Sequence, residues 1–406
     1  MPTRYGIWIA TENDVAPVAH AALPVPGVPA REFISYGRPV INSAGDTAFF
    51  GRTDNVPFDT GIWATSAGEL RMVVLENESA PGTLGAVFDE FRTNPVLNSN
   101  GDMVFWAELK DHTGGVTNLD DSGIWLHSGG TTRLLMREGD SVPILKNAAY
   151  GVVNAPTFND SGTMAYLAQL RIDAGNGTTE YSNGLFRSHT QGGDPELILR
   201  GGDTAPGTNG ETLLTVSSPI MNSSGNLLFE GRIDNTGQTS DRSRALWFEQ
   251  NGEIGLVGRK GDTAPGVPGA ILGNFEDYAL NASGDIAVMT RLTSADPNNP
   301  IDSRYALWYY NGLADSLELI VRTGQQFDVN PDPLVEELKV ISLITFQGGS
   351  TLNGSEGAGL NDSGLIAFDL QFDDGSNGIY MTQIPAPSSV FAMGIAGTCL
   401  LRRRRA

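Results

Sequence analysis

The chain has 406 residues, of which 40% are hydrophobic, 50 are Gly and only one is Cys. This apolar fraction excludes an intrinsically disordered chain, and a single Cys, Cys399, excludes an intrachain disulfide. The formal net charge of −21 repels phosphate backbones, which argues against a nucleic-acid partner.

The first 30 residues do not resemble a secretory signal peptide, because they lack a basic start and a continuous apolar core. Residues 16–29 are apolar, but four prolines and His20 interrupt them. The chain also opens midway through a repeating unit, at Gly6-Ile-Trp8. We therefore expect that the true start lies upstream of Met1.

A short phrase, Asn-x-x-Gly followed by an apolar strand, recurs six times at intervals of about 60 residues. Asn accepts left-handed backbone angles and bonds its own backbone two residues on, while Gly supplies a positive φ. Each phrase therefore predicts the turn of a β-hairpin. The turn residues are Asn42 and Gly45, Asn98 and Gly101, Asn159 and Gly162, Asn222 and Gly225, Asn281 and Gly284, and Asn361 and Gly364.

A second phrase, of the type Gly-Ile-Trp, recurs seven times on the next predicted strand, from Gly6-Ile-Trp8 to Gly378-Ile-Tyr380. A further strand and a loop such as Arg200-Gly-Gly-Asp203 follow it. Four short strands in a meander are the plan of a β-propeller blade. The sequence therefore predicts one all-β domain over residues 1–382, a propeller of about six blades. Seven blades would require strands upstream of Met1.

The aromatic residues of the two phrases recur once per unit, and this periodicity predicts that most of them are buried between blades. The prediction covers Phe49, Phe105, Tyr166, Phe229, Phe368, Trp63, Trp125, Trp247 and Trp308. The alternative is that the tryptophans stack on sugars, which would require them to be exposed on one rim. The paired Arg and Asp of loops such as 200–203 are predicted to hold those loops in place.

No motif indicates a catalytic residue, a metal or a cofactor. The four histidines fall in different units and share no spacing, so we interpret them as scattered surface residues: His20, His112, His127 and His189. Asp328-x-Asn330-x-Asp332 begins like a calcium loop, but Pro333 replaces the turn Gly and Lys339 replaces the twelfth-position Glu.

The last 22 residues, 385–406, break from the repeat, and the predicted second region is 383–406. A Pro-rich linker around 383–387 leads into the apolar segment 390–401, and a short helix is predicted over 388–401. The terminal arginines would hold the C-terminus on the cytoplasmic side of a membrane. This tail resembles the PEP-CTERM sorting signal of bacterial surface proteins, although Ala386 stands where the usual triplet has Glu. The residues that match it are Pro385, Ala386, Pro387, Arg402, Arg403, Arg404 and Arg405.

The body resembles the bacterial choice-of-anchor tandem-repeat proteins, whose pattern is Asn-x-x-Gly-x-x-Ala-Phe. Ala48-Phe49 and Ala367-Phe368 match it fully, and Ala165-Tyr166 matches it closely. The two resemblances together imply a secreted protein of the cell surface or extracellular matrix. They also imply an exosortase-type processing enzyme as partner and transient membrane contact through the tail.

Two classes of function remain open. The first is a surface-displayed scaffold or binding module, for exopolysaccharide or another surface component. The alternative is a propeller-fold glycosidase, which needs two converging carboxylates that break the repeat. The irregular stretch 322–357 offers Asp328, Asp332, Glu336 and Glu337.

Overall fold

The computed structural model describes residues 6–11, 14–21, 23–54, 59–234, 241–296, 298, 301, 304–312, 314–330, 332, 334–349 and 359–384. These residues form β-strands, turns and loops. Within these ranges we find no helix long and apolar enough to span a membrane. The predicted helix at 388–401 and the sorting residues lie outside the described residues.

The chain divides into two compact units, Met1–Leu199 and Arg200–Ala406. Unit 1 contains an N-terminal hairpin and three larger sheets. The hairpin consists of β1 (Gly6–Ala10) and β2 (Val15–His20), and sheet 1 consists of β3 (Phe33–Tyr36), β4 (Val40–Ile41), β5 (Thr47–Thr53), β6 (Thr60–Ser66) and β7 (Glu69–Leu75). Sheet 2 consists of β8 (Val96–Leu97), β9 (Met103–Glu108), β10 (Ser122–Ser128) and β11 (Thr131–Arg137). Sheet 3 consists of β12 (Ala148–Phe158), β13 (Thr163–Asp173), β14 (Thr179–His189) and β15 (Glu196–Arg200).

Unit 2 contains three sheets of four strands each. Sheet 4 is β16 (Leu213–Met221), β17 (Leu227–Ile233), β18 (Arg244–Gln250) and β19 (Glu253–Arg259); sheet 5 is β20 (Ala270–Leu280), β21 (Ile286–Ser294), β22 (Tyr305–Asn311) and β23 (Ser316–Arg322); sheet 6 is β24 (Gln326–Asp328), β25 (Leu338–Thr345), β26 (Leu365–Phe372) and β27 (Asn377–Gln383).

The predicted meander of four antiparallel strands is confirmed in sheets 2 to 5, where neighbours in sequence are neighbours in the sheet. The prediction is incomplete at the two ends of the array. In sheet 1 the first strand is split, because β3 and β4 both pair with β5. In sheet 6 the irregular stretch adds β24 at one edge, and β27, the strand of Gly378-Ile-Tyr380, is the other edge.

The Asn-x-x-Gly turns connect the first and second strands in the first five sheets, as predicted. The sixth turn follows a single bridge between Leu360 and Ile366. All six glycines have positive φ, from 75° at Gly364 to 88° at Gly284. The residue type at this position is therefore dictated by backbone geometry.

The prolines three residues before the motif Asn occupy two kinds of position. Pro39 and Pro95 immediately precede β4 and β8. Pro156 and Pro219 lie inside β12 and β16, where the register shifts between Asn154 and Thr157 and between Ser217 and Ile220. A bulge tolerates Pro, because the missing N–H is not needed for the ladder.

The core of each unit lies between successive sheets. Ile62 of sheet 1 shares a buried cluster with Phe105 and Trp125 of sheet 2, and Leu246 of sheet 4 shares one with Trp308 of sheet 5. The predicted burial of the aromatic residues is confirmed, since none is more than 4% exposed: Phe49, Phe105, Tyr166, Phe229, Phe368, Trp63, Trp125, Trp247 and Trp308. Face-to-face sheets of four antiparallel strands are a propeller-like arrangement. The number of blades and the closure of a ring stay predictions.

Candidate ligand-binding site

The motif Asn side chains hold their own turns. In the second repeat, Asn98 Oδ1 accepts hydrogen bonds from the backbone N–H groups of Asn100 at 3.0 Å and Asp102 at 2.9 Å. The equivalent pair of bonds is present in the other five turns. An Asx-type turn of this kind is what the phrase predicted.

The amide nitrogen of the same side chain reaches the next repeat. In unit 1, Asn42 Nδ2 donates to the Asn98 carbonyl at 2.9 Å, and Asn98 Nδ2 donates to the Asn159 carbonyl at 3.3 Å. In unit 2, Asn222 donates to the Asn281 carbonyl at 2.9 Å, and Asn281 donates to the Asn361 carbonyl at 3.0 Å. We call this row of bonds the turn ladder. Because both ends of the amide are engaged, the ladder residues are structural.

Four tryptophans of the second phrase also have hydrogen-bond partners within the protein. The indole N–H groups of Trp63, Trp125 and Trp247 donate to the carbonyls of Pro26, Pro81 and Pro206 at 2.9–3.0 Å. Trp308 donates to Thr290 Oγ1 at 2.9 Å instead. Each ring is buried as well as hydrogen-bonded, so the packing interpretation of the tryptophans is confirmed over the sugar-stacking one.

The Arg and Asp of the connecting loops are paired, but not always with each other. Arg200 Nε lies 3.4 Å from Asp203 Oδ1, as the spacing predicts. Arg259 instead makes a bidentate pair with Glu211, with both N–O distances at 2.8 Å. These guanidinium groups hold loops in place and are already engaged with protein carboxylates.

In the irregular stretch 322–357, the described aspartates accept hydrogen bonds from nearby backbone N–H groups. Asp328 Oδ1 accepts from the N–H groups of Asn330 and Glu337, at 3.1 and 2.9 Å, and these bonds hold the pKa of Asp328 below its usual value. Asp332 Oδ1 accepts from the N–H of Leu334 at 3.0 Å. Glu336 is exposed at the surface. The first three calcium-type side chains are therefore turn-forming residues here.

The four histidines lie apart, with His112 and His189 exposed and His20 and His127 half-buried. Burial lowers the pKa of His127, whose Nδ1 lies 2.9 Å from Thr132 Oγ1. Among the residues that the structure describes, no group of His, Cys, Asp and Glu side chains is arranged to hold a metal ion.

A cavity occurs where sheet 3 departs from the repeat. Strands β13 and β14 have 11 residues each, whereas the corresponding strands of sheet 5, β21 and β22, have 9 and 7. The β13–β14 hairpin is therefore longer than the equivalent strand pair of that sheet. Its turn is tight, because Gly175 and Gly177 both have positive φ and Ala174 N–H donates to the Thr178 carbonyl at 3.1 Å.

The strand register places four side chains of this hairpin on one face. Arg171 is opposite Tyr181, and Asp173 is opposite Thr179. Leu170 and Ile172 alternate with Arg171 and Asp173 along β13 and pack in the core between sheets 2 and 3. The extension is therefore amphipathic, and its other face carries Arg171, Asp173, Thr179 and Tyr181.

This face is the floor of a cavity of about 740 Å³, a size typical of small-molecule sites. Loops from sheet 2 and the start of β12 form its walls. Tyr181 is 64% exposed and Leu119 is 57% exposed, although both are large apolar side chains. The lining residues are Leu119, Gly139, Ser141, Leu145, Asn147, Ala148, Ala149, Arg171, Asp173, Thr179 and Tyr181.

The positive charge of Arg171 is engaged by the protein. Its Nη2 donates to the carbonyls of Leu119 at 2.6 Å and Tyr150 at 2.9 Å, and its Nη1 lies 3.6 Å from Glu138 Oε1. Burial raises the pKa of Glu138, whose other oxygen accepts from Ser122 Oγ at 2.9 Å. Arg171 thus connects the wall of the cavity to its floor. Asp173 is the charged group of the lining without a basic partner among the described residues; its Oδ1 accepts from the Gly175 N–H at 2.8 Å.

Sequence reasoning did not find this cavity. The signal in the sequence is the insertion 173–179, where Gly-Asn-Gly separates two strand patterns inside an otherwise regular unit. The predicted site residues are elsewhere: the turn residues form the turn ladder, and Pro385, Ala386, Pro387 and Arg402 to Arg405 lie outside the described residues.

The chain belongs to a family of unknown function, DUF7453, whose model matches it over residues 1–186 and again over residues 112–391. Two overlapping matches agree with an internally repeated sequence. No curated protein matches this chain.

Similar solved structures include the acylaminoacyl peptidase of Pyrococcus horikoshii, 11% identical, covering 85% of this chain and 44% of the peptidase at a TM-score of 0.43. The α-L-arabinanase of Penicillium chrysogenum is 10% identical, covering 85% of this chain and 92% of its own at a TM-score of 0.34. A Hadza microbial sialidase is 13% identical, covering 83% and 64% at a TM-score of 0.31. At TM-scores this low, the likeness supports no functional conclusion.

Proposed function

We propose that this protein is a secreted, surface-displayed repeat scaffold that acts as a binding module for a surface component. Its sheets would be the blades of a β-propeller of about six blades, with seven as the alternative, followed by a short apolar helix at 388–401. The tail would anchor the chain in the membrane until an exosortase-type enzyme processes it. This proposal extends the two family resemblances of the sequence.

The turn ladder is the observation that carries the scaffold proposal. The repeated Asn residues bond their own turns and, at 2.9 Å for Asn42 and Asn222, the next repeat as well. Repeated indoles donate to loop carbonyls in the same way. A chain whose repeated polar groups are satisfied by neighbouring repeats behaves as a stack of nearest-neighbour units, which suits a rigid displayed support. The glycosidase alternative stays a prediction that no observation favours.

The display proposal is tested by fractionating cells of the native host and sequencing the mature protein by mass spectrometry. We expect the body at the cell surface and a C-terminus near Pro387, without peptides from 388–406. Replacing Arg402 to Arg405 with Gln should abolish this processing. Arg71→Gln is the control, because Arg71 is an exposed basic residue of the array, with its side chain 67% exposed. Intact 388–406 peptides recovered from the surface would contradict the proposal.

A further inference from the structure

We infer that the cavity on the β13–β14 hairpin is a saccharide-binding site for a neutral oligosaccharide. The inference rests on the proposed function, because it assigns a ligand class and a location to the binding module. Three features of the cavity support a saccharide ligand: an exposed aromatic ring, short polar side chains around it, and the sign of the charge of the cavity.

The aromatic ring is Tyr181. Most large apolar side chains in the repeated phrases are buried, with Trp125 at 0% exposure and Trp8 and Ile379 as exceptions, whereas Tyr181 is 64% exposed at the floor of a concave surface. Its cross-strand partner, Arg171, is turned toward Leu119 and Glu138 and does not cover it. An exposed ring offers a flat apolar surface with a polar tip. The C–H face of a pyranose ring matches such a surface, and Leu119 extends the apolar area.

The polar groups next to the ring suit hydroxyl groups. Asp173 and Thr179 form the adjacent cross-strand pair, and Asn147 lies beside them, since its carbonyl accepts from the Asp173 N–H at 2.9 Å. Ser141 contributes a hydroxyl from the wall. A carboxylate, an amide and two hydroxyls together offer both donors and acceptors. Sugar hydroxyls are themselves both donors and acceptors, so this set recognises a polyol better than a ligand with a single charge.

The charge of the cavity selects against anions. The Arg171 guanidinium is engaged by two carbonyls and by Glu138. Asp173 is exposed, and the chain as a whole carries a net charge of −21. Uronate chains and nucleotides would be repelled. A neutral hexose or pentose oligomer is therefore the ligand class that the charges and the shape admit together.

The test is isothermal titration of the purified full-length chain with neutral tetrasaccharides of glucose, mannose, galactose and xylose, and with tetragalacturonate as the anionic probe. We expect at least one neutral tetrasaccharide to bind with a Kd below about 10 mM and tetragalacturonate to bind more weakly. Tyr181→Ala should weaken binding by about tenfold or more, because a central aromatic contact is lost. Tyr181→Phe keeps the ring and should retain binding.

Glu180→Gln is the matched control, because Glu180 is exposed on the same strand but alternates with Tyr181 and does not line the cavity. It should leave the Kd unchanged. Three results would overturn the inference: no binding of any neutral probe, equal binding by the Tyr181→Ala variant with a native circular dichroism spectrum, or tighter binding of tetragalacturonate. Because the assay uses purified protein, its failure leaves the surface-display proposal standing, and failure of surface display leaves a measured Kd standing.

Discussion

The two ends of strand β13 differ in role: the side chains at one end stabilise the fold, and those at the other line the proposed ligand site. At its start, the turn at Asn159 is buried, and the Asn159 side chain accepts from the N–H groups of Ser161 and Thr163 at 3.1 and 3.0 Å. At its end, the hairpin to β14 exposes Asp173 and Tyr181 beside a cavity. The first turn obeys the repeat and the second departs from it. The side chains at the repeated positions pack in the core, whereas those at the irregular hairpin are exposed and line the proposed ligand site.

The largest effect should follow from removing a repeated indole. Trp125→Ala deletes a fully buried ring and leaves a cavity, so we expect a loss of about 3–5 kcal/mol in the free energy of unfolding by urea denaturation. Trp8 occupies the same place in its phrase but is 53% exposed, so Trp8→Ala should cost about 1 kcal/mol or less. Equal losses of unfolding free energy at the two positions would show that burial of the indole does not determine the cost.

The turn ladder should be nearly as sensitive to a change of one atom. Asn98→Asp replaces the Nδ2 donor with an oxygen facing the Asn159 carbonyl, at a side chain only 3% exposed, and should cost about 2–4 kcal/mol. Asn361 makes the same bonds within its turn, but it is exposed, and its Nδ2 meets no carbonyl acceptor among the described residues. Asn361→Asp should therefore cost under about 1 kcal/mol in the same urea assay.

Backbone strain at the motif glycine should come next. Gly101 has a φ of 80°, and an added Cβ would meet nothing within 4 Å, so the cost of Gly101→Val is conformational and about 1–3 kcal/mol. Gly225→Val, at a φ of 86°, should behave alike. Gly101→Asn tests the cause, because Asn tolerates left-handed angles and should recover most of the stability. If Asn and Val cost the same in thermal unfolding, strain is not the reason.

A buried carboxyl of sheet 4 is expected to make the free energy of unfolding depend on pH. Burial raises the pKa of Glu230, although Arg244 lies 2.6 Å away. The folded state therefore binds the proton more tightly than the unfolded state, and stability is lost as pH rises from the ordinary Glu pKa of 4.5 through the raised value. Glu230→Gln should flatten this dependence, measured as the difference in unfolding free energy between pH 5 and pH 8. A steeper dependence in the variant would contradict the assignment.

The smallest stability effect is expected at the irregular hairpin. Tyr181→Ala removes a side chain that is 64% exposed, so the free energy of unfolding should change by under about 0.5 kcal/mol. The same substitution should weaken saccharide binding at the cavity by about tenfold or more. A large loss of stability here would mean that Tyr181 is a packing residue like the repeated aromatics, and the contrast between the two ends of β13 would disappear.

The repeat residues could be predicted because their roles are local. Asn98 and Gly101 form a turn from five consecutive residues, and the preference for a positive φ is a property of the residue type. The burial of Phe105 and Trp125 followed from their recurrence once per unit. The second role of Asn98, its bond to the Asn159 carbonyl, was not predicted because it depends on two repeats lying side by side.

The sequence by itself determined the unit, its strands, its turns and its buried aromatic residues, since each is set by backbone preference and by a repeating apolar pattern. Only the tertiary structure decided which polar groups are engaged and which are exposed. Arg171 and Leu119 are 52 residues apart, and nothing local indicates that the guanidinium of one would bind the carbonyl of the other and leave Asp173 and Tyr181 lining a cavity. A site of this kind is assembled from several loops, so its chemistry is fixed by distances in space rather than by spacing along the chain.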